Sequence, residues 1–202
     1  MDYLISAVLG FLFGSIPTAY LLLKTKKGID ITKTGSGNVG AMNSYEITSS
    51  KKIGIFVLVI DFLKGLLPVL ILKIAFSDVF IYPALALIFA IFSHCFNPWI
   101  SFKGGRGLAT AAGGTIILFP YMLLVWIILW LLVYLIKKDI LLANILATIL
   151  SLIIIYLTKS LELDFAFPKS VNVNELVMLT TSGLLIIFIK HIEPLKEIIL
   201  KK

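Results

Sequence analysis

The stretch Leu108-Ala-Thr-Ala-Ala-Gly-Gly-Thr-Ile-Ile-Leu-Phe-Pro120 decides how this chain is threaded. It is apolar, but Leu108 to Phe119 falls short of the roughly 20 residues a helix needs to cross a bilayer. Pro120 follows directly, and a proline can end one helix and open the next, giving a tight hairpin. Six longer apolar stretches surround it, at roughly 3–23, 53–76, 80–100, 120–136, 139–158 and 176–190. If the short segment also crosses, 14 of the 18 lysines and arginines fall on one side, in 24–52, 100–107, 137–138 and 190–202. The opposite loop, 159–175, sets Lys159 and Lys169 against Glu162, Asp164 and Glu175. Omitting the segment moves Lys137, Lys138 and the basic C-terminus outside, against the tendency of cationic loops to stay cytosolic. The expectation is an all-α integral membrane protein with seven transmembrane helices, N-terminus outside and C-terminus cytosolic, forming a single domain over 1–202.

Composition points the same way. Of 202 residues, 59% are hydrophobic and 14% charged, and the mean hydropathy is +1.05. Soluble domains carry about 25% charged residues to cover their surface. Disorder, collagen, a disulfide scaffold and nearly every soluble enzyme class are excluded. The first span has no basic leader and no clear small-residue cleavage site, so it reads as a retained helix rather than a cleaved signal. The single cysteine, Cys95, says nothing about redox compartment. The net charge of +7 points to orientation, anionic ligands or lipid headgroups rather than to nucleic acid.

Polar chemistry gathers in two segments on the expected cytosolic side, Thr34-Gly-Ser-Gly-Asn-Val-Gly-Ala-Met-Asn-Ser44 and Ser101-Phe-Lys-Gly-Gly-Arg-Gly-Leu-Ala-Thr110. Glycines let the backbone approach a ligand, and successive N–H groups can form an anion nest. Ser36, Gly37, Asn38 and Gly40 belong to the first candidate cradle. Lys103, Gly104, Gly105, Arg106, Gly107 and Thr110 belong to the second, where Lys103 and Arg106 suit phosphate. The bland alternative is a pair of flexible positive-inside loops. Gly35, Gly37 and Gly40 spell a dinucleotide-binding pattern, but no buried strand precedes it and no Gly-Lys-Ser/Thr follows.

Asp61 and Lys64 lie within the second span, on one helix face. They read either as a self-neutralised structural pair or as a substrate contact through Lys64. His94 and His191 sit at the depth of the glycine loops, as packed histidines or with a polar role. No metal site and no hydrolase triad can be composed from them. Asn97-Pro98-Trp99 reads as an interfacial turn, and Trp126 and Trp130 as packing or lipid-facing residues.

Together, Gly14-Ser-Ile-Pro-Thr18, Gly35-Ser-Gly-Asn-Val-Gly40 with Asn43, Asp61-x-x-Lys-Gly-x-x-Pro68, and His94 followed by Phe102-Lys-Gly-Gly-Arg-Gly107 with Ala109-Thr110 resemble the bacterial acyl-phosphate:glycerol-3-phosphate acyltransferases, the PlsY family. The similarity is collinear over almost the whole chain. It implies a seven-helix fold in the bacterial inner membrane with a cytosolic active site. The implied reaction transfers a fatty acyl group from acyl phosphate to the 1-hydroxyl of glycerol 3-phosphate, giving lysophosphatidic acid and phosphate. It implies no metal or other cofactor. The partners are the two substrates and membrane lipids, and oligomeric state is not legible. Met42 stands where the family usually has Thr, Glu46 where it has Arg, and Arg106 where it has Lys. Ile192-Glu193-Pro194 follows His191 where Asn and Arg are usual.

The reaction needs two phosphates and one apolar chain in one place, and acyl phosphate is already activated, so positioning and charge stabilisation suffice. His191, Lys103 and Asn43 are the expected catalytic residues, with Lys64 and His94 among those binding substrate. The base can be His94, His191 or the substrate's own phosphate. The competing readings are a transporter for a small anion and a catalytically altered paralogue.

Overall fold

The structure is a computed structural model that describes residues 1–77, 79–167 and 172–200, without the side chains of 159–163 and 197–199. Lys169, Lys201 and Lys202, and the side chains of Lys159 and Glu162, which entered the charge map, lie outside the described residues. Among the described residues the chain is helical, with no strand.

The first apolar stretch is two helices, α1 (Asp2–Gly14) and α2 (Thr18–Lys27), not one. Pro17 lacks an N–H and disfavours helical geometry at Ile16, so the continuous span expected over 3–23 breaks there. A short helix the hydropathy pattern did not mark, α3 (Ala41–Thr48), precedes α4 (Lys51–Ala75), which continues through Pro68. After α5 (Ile81–Cys95) and a 3₁₀ turn at Pro98–Ile100, the short segment forms α6 (Leu108–Leu118). Pro120 opens α7 (Pro120–Lys137) immediately, as its missing N–H allows at a helix start. Then come α8 (Ile140–Phe165), α9 (Val173–Ile189) and a further unanticipated helix, α10 (Ile192–Leu200).

Among the described residues, five stretches are long and apolar enough to cross a membrane: Asp2–Lys27, Lys51–Ala75, Ile81–Ile100, Pro120–Lys137 and Ile140–Thr158. The helices α6 and α9 are apolar but shorter. At 1.5 Å per residue α6 rises only about 16 Å, half a hydrocarbon core.

Helix α6 is held in the centre by close backbone contact with α4. Gly65 packs against the Thr110 carbonyl, and Gly113 against the Phe62 carbonyl; a methyl group at either position would overlap backbone. Small residues allow this approach where lipid removes the hydrophobic drive between helices. Helices α7 and α8 form a hairpin. Trp130 Nε1 donates to Asn144 Oδ1 at 2.7 Å and Trp126 Nε1 to Thr148 Oγ1 at 3.2 Å. The outer face of α7 is apolar and exposed at Leu124, Leu132 and Ile136, as a lipid-facing helix requires.

Candidate functional site

The two glycine loops meet. The Val39 N–H donates to the Gly104 carbonyl at 3.2 Å, and Lys103 Nζ reaches the Thr32 carbonyl at 3.5 Å. Between them opens a polar cavity of about 390 Å³, lined by Thr32, Ser36, Gly37, Asn38, Phe102, Lys103, Gly104, Arg106, Lys190, Glu193 and Pro194. Five expected binding residues, Ser36, Gly37, Asn38, Gly104 and Arg106, and the expected catalytic Lys103 are thus brought to one wall.

The first loop is shaped by Asn43, which is 1% exposed. Its Oδ1 accepts the Ser36 N–H at 3.0 Å, and its Nδ2 donates to the Asn38 carbonyl at 2.9 Å and the Thr34 carbonyl at 3.1 Å. Its amide is engaged in the loop and does not line the cavity, so the structure gives it a scaffolding position. Gly37, at φ 69°, takes the left-handed turn that this arrangement needs.

The second loop hangs from Asn97. Its backbone carbonyl accepts the Phe102 N–H at 2.8 Å, its Oδ1 accepts the Trp99 N–H at 3.0 Å, and its Nδ2 donates to Ser15 O at 2.7 Å, at the break after α1. Trp99 is 68% exposed, as an interfacial anchor should be. The Gly105 N–H donates to the His94 carbonyl at 3.1 Å, and Gly105 lies so close over the His94 ring that a side chain there would overlap it.

Several of the backbone N–H groups expected to cradle an anion therefore already have partners. Ser36 N–H serves Asn43, Gly37 N–H serves Thr34 O, Lys103 N–H serves Ile100 O, and Gly105 N–H serves His94 O. The cavity presents side chains more than a backbone nest, because these amides are already satisfied within the loops and by their neighbours.

Lys64, His94, Gly40, Gly105, Gly107 and Thr110 stand behind the wall rather than on it. Lys64 Nζ pairs with Asp61 Oδ1, both side chains being under 5% exposed, and His94 Nδ1 lies 3.9 Å from the same oxygen. Thr110 Oγ1 donates to the Asp61 carbonyl at 3.0 Å. These residues couple α4, α5 and α6 beneath the loop.

His191, in the turn between α9 and α10, is 1% exposed. Its Nδ1 lies 2.8 Å from the Ile187 carbonyl, which can only accept, so Nδ1 carries the hydrogen and Nε2 a lone pair. Nε2 has no hydrogen-bond partner among the described residues. Burial lowers the imidazole pKa to about 4, with the Ile187 bond opposing and the Arg106 charge reinforcing the shift.

A second, apolar cavity of about 160 Å³ runs between α5, α6, α7 and α9, past Ile91, Ala112, Thr115, Trp126 and Ile187. It adjoins the glycine loop: a Cβ on Gly107 would lie 3.3 Å from Ile91 and 3.4 Å from Ile187. A cationic polar cavity and an apolar one therefore flank the segment 104–107.

The family model described as glycerol-3-phosphate acyltransferase matches residues 4–201. A glycerol-3-phosphate acyltransferase of Helicobacter acinonychis is 32% identical over 197 residues, covering 93% of this chain and 87% of that protein. One from Geobacter metallireducens is 47% identical over 116 residues, 57% of this chain and 58% of that protein. The match to the Helicobacter pylori relative spans 57% of its length. The chain belongs to the glycerol-3-phosphate acyltransferase family. The crystal structure of PlsY, an integral membrane glycerol 3-phosphate acyltransferase, in its glycerol 3-phosphate form covers 100% of this chain and 94% of its own, with TM-score 0.81 and 28% identity. Its lysophosphatidic acid form superposes with TM-score 0.79.

Within this acyltransferase-family chain the unusual residues separate by location. Met42 and Glu46 lie on α3, exposed and off the cavity wall, so the Glu46 carboxylate does not face an anion bound there. Glu193 and Pro194 are on the wall. Lys190, Thr32 and Phe102 complete it and were not singled out by sequence. The usable signal for Lys190 and Glu193 was their adjacency to His191.

Proposed function

We propose that this protein transfers a fatty acyl group from acyl phosphate to the 1-hydroxyl of glycerol 3-phosphate, releasing lysophosphatidic acid and phosphate. The observation that carries this reading is that a cationic polar cavity and an apolar cavity flank the segment 104–107. An amphiphilic donor and an anionic acceptor need both, side by side. Phosphates bind against Lys103, Arg106 and Lys190, with Ser36 and Asn38 as neutral hydrogen-bonding partners. The acyl chain lies in the α5–α6–α7–α9 cavity, its carbonyl near Gly107.

The hydroxyl oxygen attacks the acyl carbon, the bond from that carbon to the phosphate oxygen breaks, and the hydroxyl proton ends on the released phosphate. His191 is 1% exposed and off the cavity wall, so its Nε2 accepts the hydroxyl hydrogen only if the 190–193 turn shifts when substrate binds. A pKa near 4 makes the ring a weak base, so a substrate phosphate is the better proton acceptor. Lys103 and Arg106 stabilise the charge that builds on the leaving phosphate. Asn43 and the Asp61–Lys64–His94 group act by holding the two loops. No metal or organic cofactor enters this chemistry. In this reading the whole chain is one domain of seven crossings in a bacterial inner membrane, N-terminus outside, with the polar cavity facing the cytoplasm.

Purified protein incubated with palmitoyl phosphate and labelled glycerol 3-phosphate should form labelled lysophosphatidic acid with equimolar phosphate. Labelled glycerol 3-phosphate crossing reconstituted vesicles without any product would replace this reading with a transporter.

A further inference from the structure

The wall of the polar cavity carries a charge pattern that phosphate binding alone does not call for. Lys103, Arg106 and Lys190 supply three cations, yet Glu193 lies on the same wall. A carboxylate beside a bound phosphate repels it, so a site evolved only for the anion gains nothing from it. Its position follows from the fold. Helix α9 ends at Ile189, the chain turns through Lys190 and His191, and α10 restarts at Ile192. Pro194 is accommodated in the first turn of α10, where no intrahelical N–H bond is lost. That turn puts Lys190 and Glu193, which flank the buried His191 in sequence, on the cavity wall that Phe102, Lys103, Gly104 and Arg106 also line. Glu193 also sits where an acidic residue favours the helix N-terminus, and that role alone requires no ligand.

A carboxylate accepts hydrogen bonds and donates none. Sharing one cavity wall with three cations, it complements a molecule that carries both an anionic group and hydroxyl donors. We propose that Glu193 binds the hydroxyl-bearing carbons of the acceptor and makes the cavity selective for polyol phosphates over plain phosphate anions. The cations hold the phosphate, Glu193 accepts from a hydroxyl, and His191 Nε2 lies between Lys190 and Glu193 in sequence with its lone pair uncommitted. This role deepens the acyltransferase reading and rests on it for the reaction, while the binding itself is tested without turnover.

The test is titration calorimetry on the full-length protein in detergent, with glycerol 3-phosphate, n-propyl phosphate and inorganic phosphate as the three probes. Wild type should bind glycerol 3-phosphate at least about tenfold more tightly than n-propyl phosphate, as one charge-assisted hydrogen bond at an exposed carboxylate provides. Glu193→Ala should bring the two within about threefold, while inorganic phosphate binds as well as to wild type or better. Glu193→Gln, which keeps shape and some hydrogen bonding, should fall between. Equal weakening of all three probes, or an unchanged preference in both variants, would overturn the proposal and leave Glu193 a helix-end residue. A wild type that binds none of the probes would overturn it together with the cavity's assignment. Glu193-dependent preference in a protein that forms no lysophosphatidic acid would sustain it while removing the acyl-transfer reading.

Discussion

Replacing Asp61 by Asn should destabilise the protein through the charge left on its neighbour. Lys64 and Asp61 are under 5% exposed in the apolar body of α4, and each is compensated chiefly by the other. Removing one partner of a buried pair costs about 3–5 kcal/mol, because the remaining ion is neither solvated nor paired. For a chain of this length each kcal/mol moves the melting point by about 2–4 °C, so Asp61→Asn should melt at least about 6 °C below wild type. The Thr110 bond goes to the Asp61 main-chain carbonyl and survives the substitution. Lys64→Met should also destabilise, since it leaves the buried Asp61 carboxylate without its cationic partner. The double variant Asp61→Asn/Lys64→Met removes both charges and should recover most of the loss. Thermal unfolding in one detergent, followed by circular dichroism, measures all four proteins. A double variant as unstable as Asp61→Asn alone would refute the argument, because the cost would then not come from an uncompensated charge.

Lys103→Ala should lower acyl transfer by more than tenfold with an unchanged melting point, since the side chain is exposed at the cavity; near-normal turnover of folded variant would remove it from the site. His191 should make stability depend on pH. Its folded pKa of about 4 lies below the ordinary 6.5, so the folded state excludes a proton the unfolded chain binds. The stabilisation is full above about pH 6.5 and is lost as pH falls towards 4. The drop in melting point from pH 7 to pH 5 should therefore be larger for wild type than for His191→Asn, and equal drops would show that the ring is not held neutral. Ala112→Phe puts a ring into the 160 Å³ apolar cavity and should shift preference to shorter acyl phosphates; an unchanged chain-length profile would place the acyl chain elsewhere.

The helical elements were largely legible because their signals are local. Apolar runs marked α4 through α9 to within a few residues, except where α8 extends to Phe165, and Pro120 opened α7 where its ring and missing N–H allow. Helices α3 and α10 escaped because they are short and outside the long apolar runs. The break at Pro17 was written in the sequence, yet hydropathy averaged over it. Of the site, the residue types that hold phosphate were recognisable in both glycine loops. Which of them face a ligand was not, because that depends on what each loop does with its own amides.

The sequence by itself determined a greasy helical bundle, the helix boundary at Pro120 and the gathering of cations beside glycines. Run length, charge and turn chemistry act within a few residues of where they are written. Only the tertiary structure decided that Asn43 is spent on the loop and that Lys64 and His94 sit behind the wall. It likewise decided that Lys190 and Glu193 stand on it. Those outcomes turn on contacts such as Lys103 with Thr32, 71 positions apart. A backbone amide or a buried charge is committed to whatever partner packing brings nearest, and no local pattern names that partner.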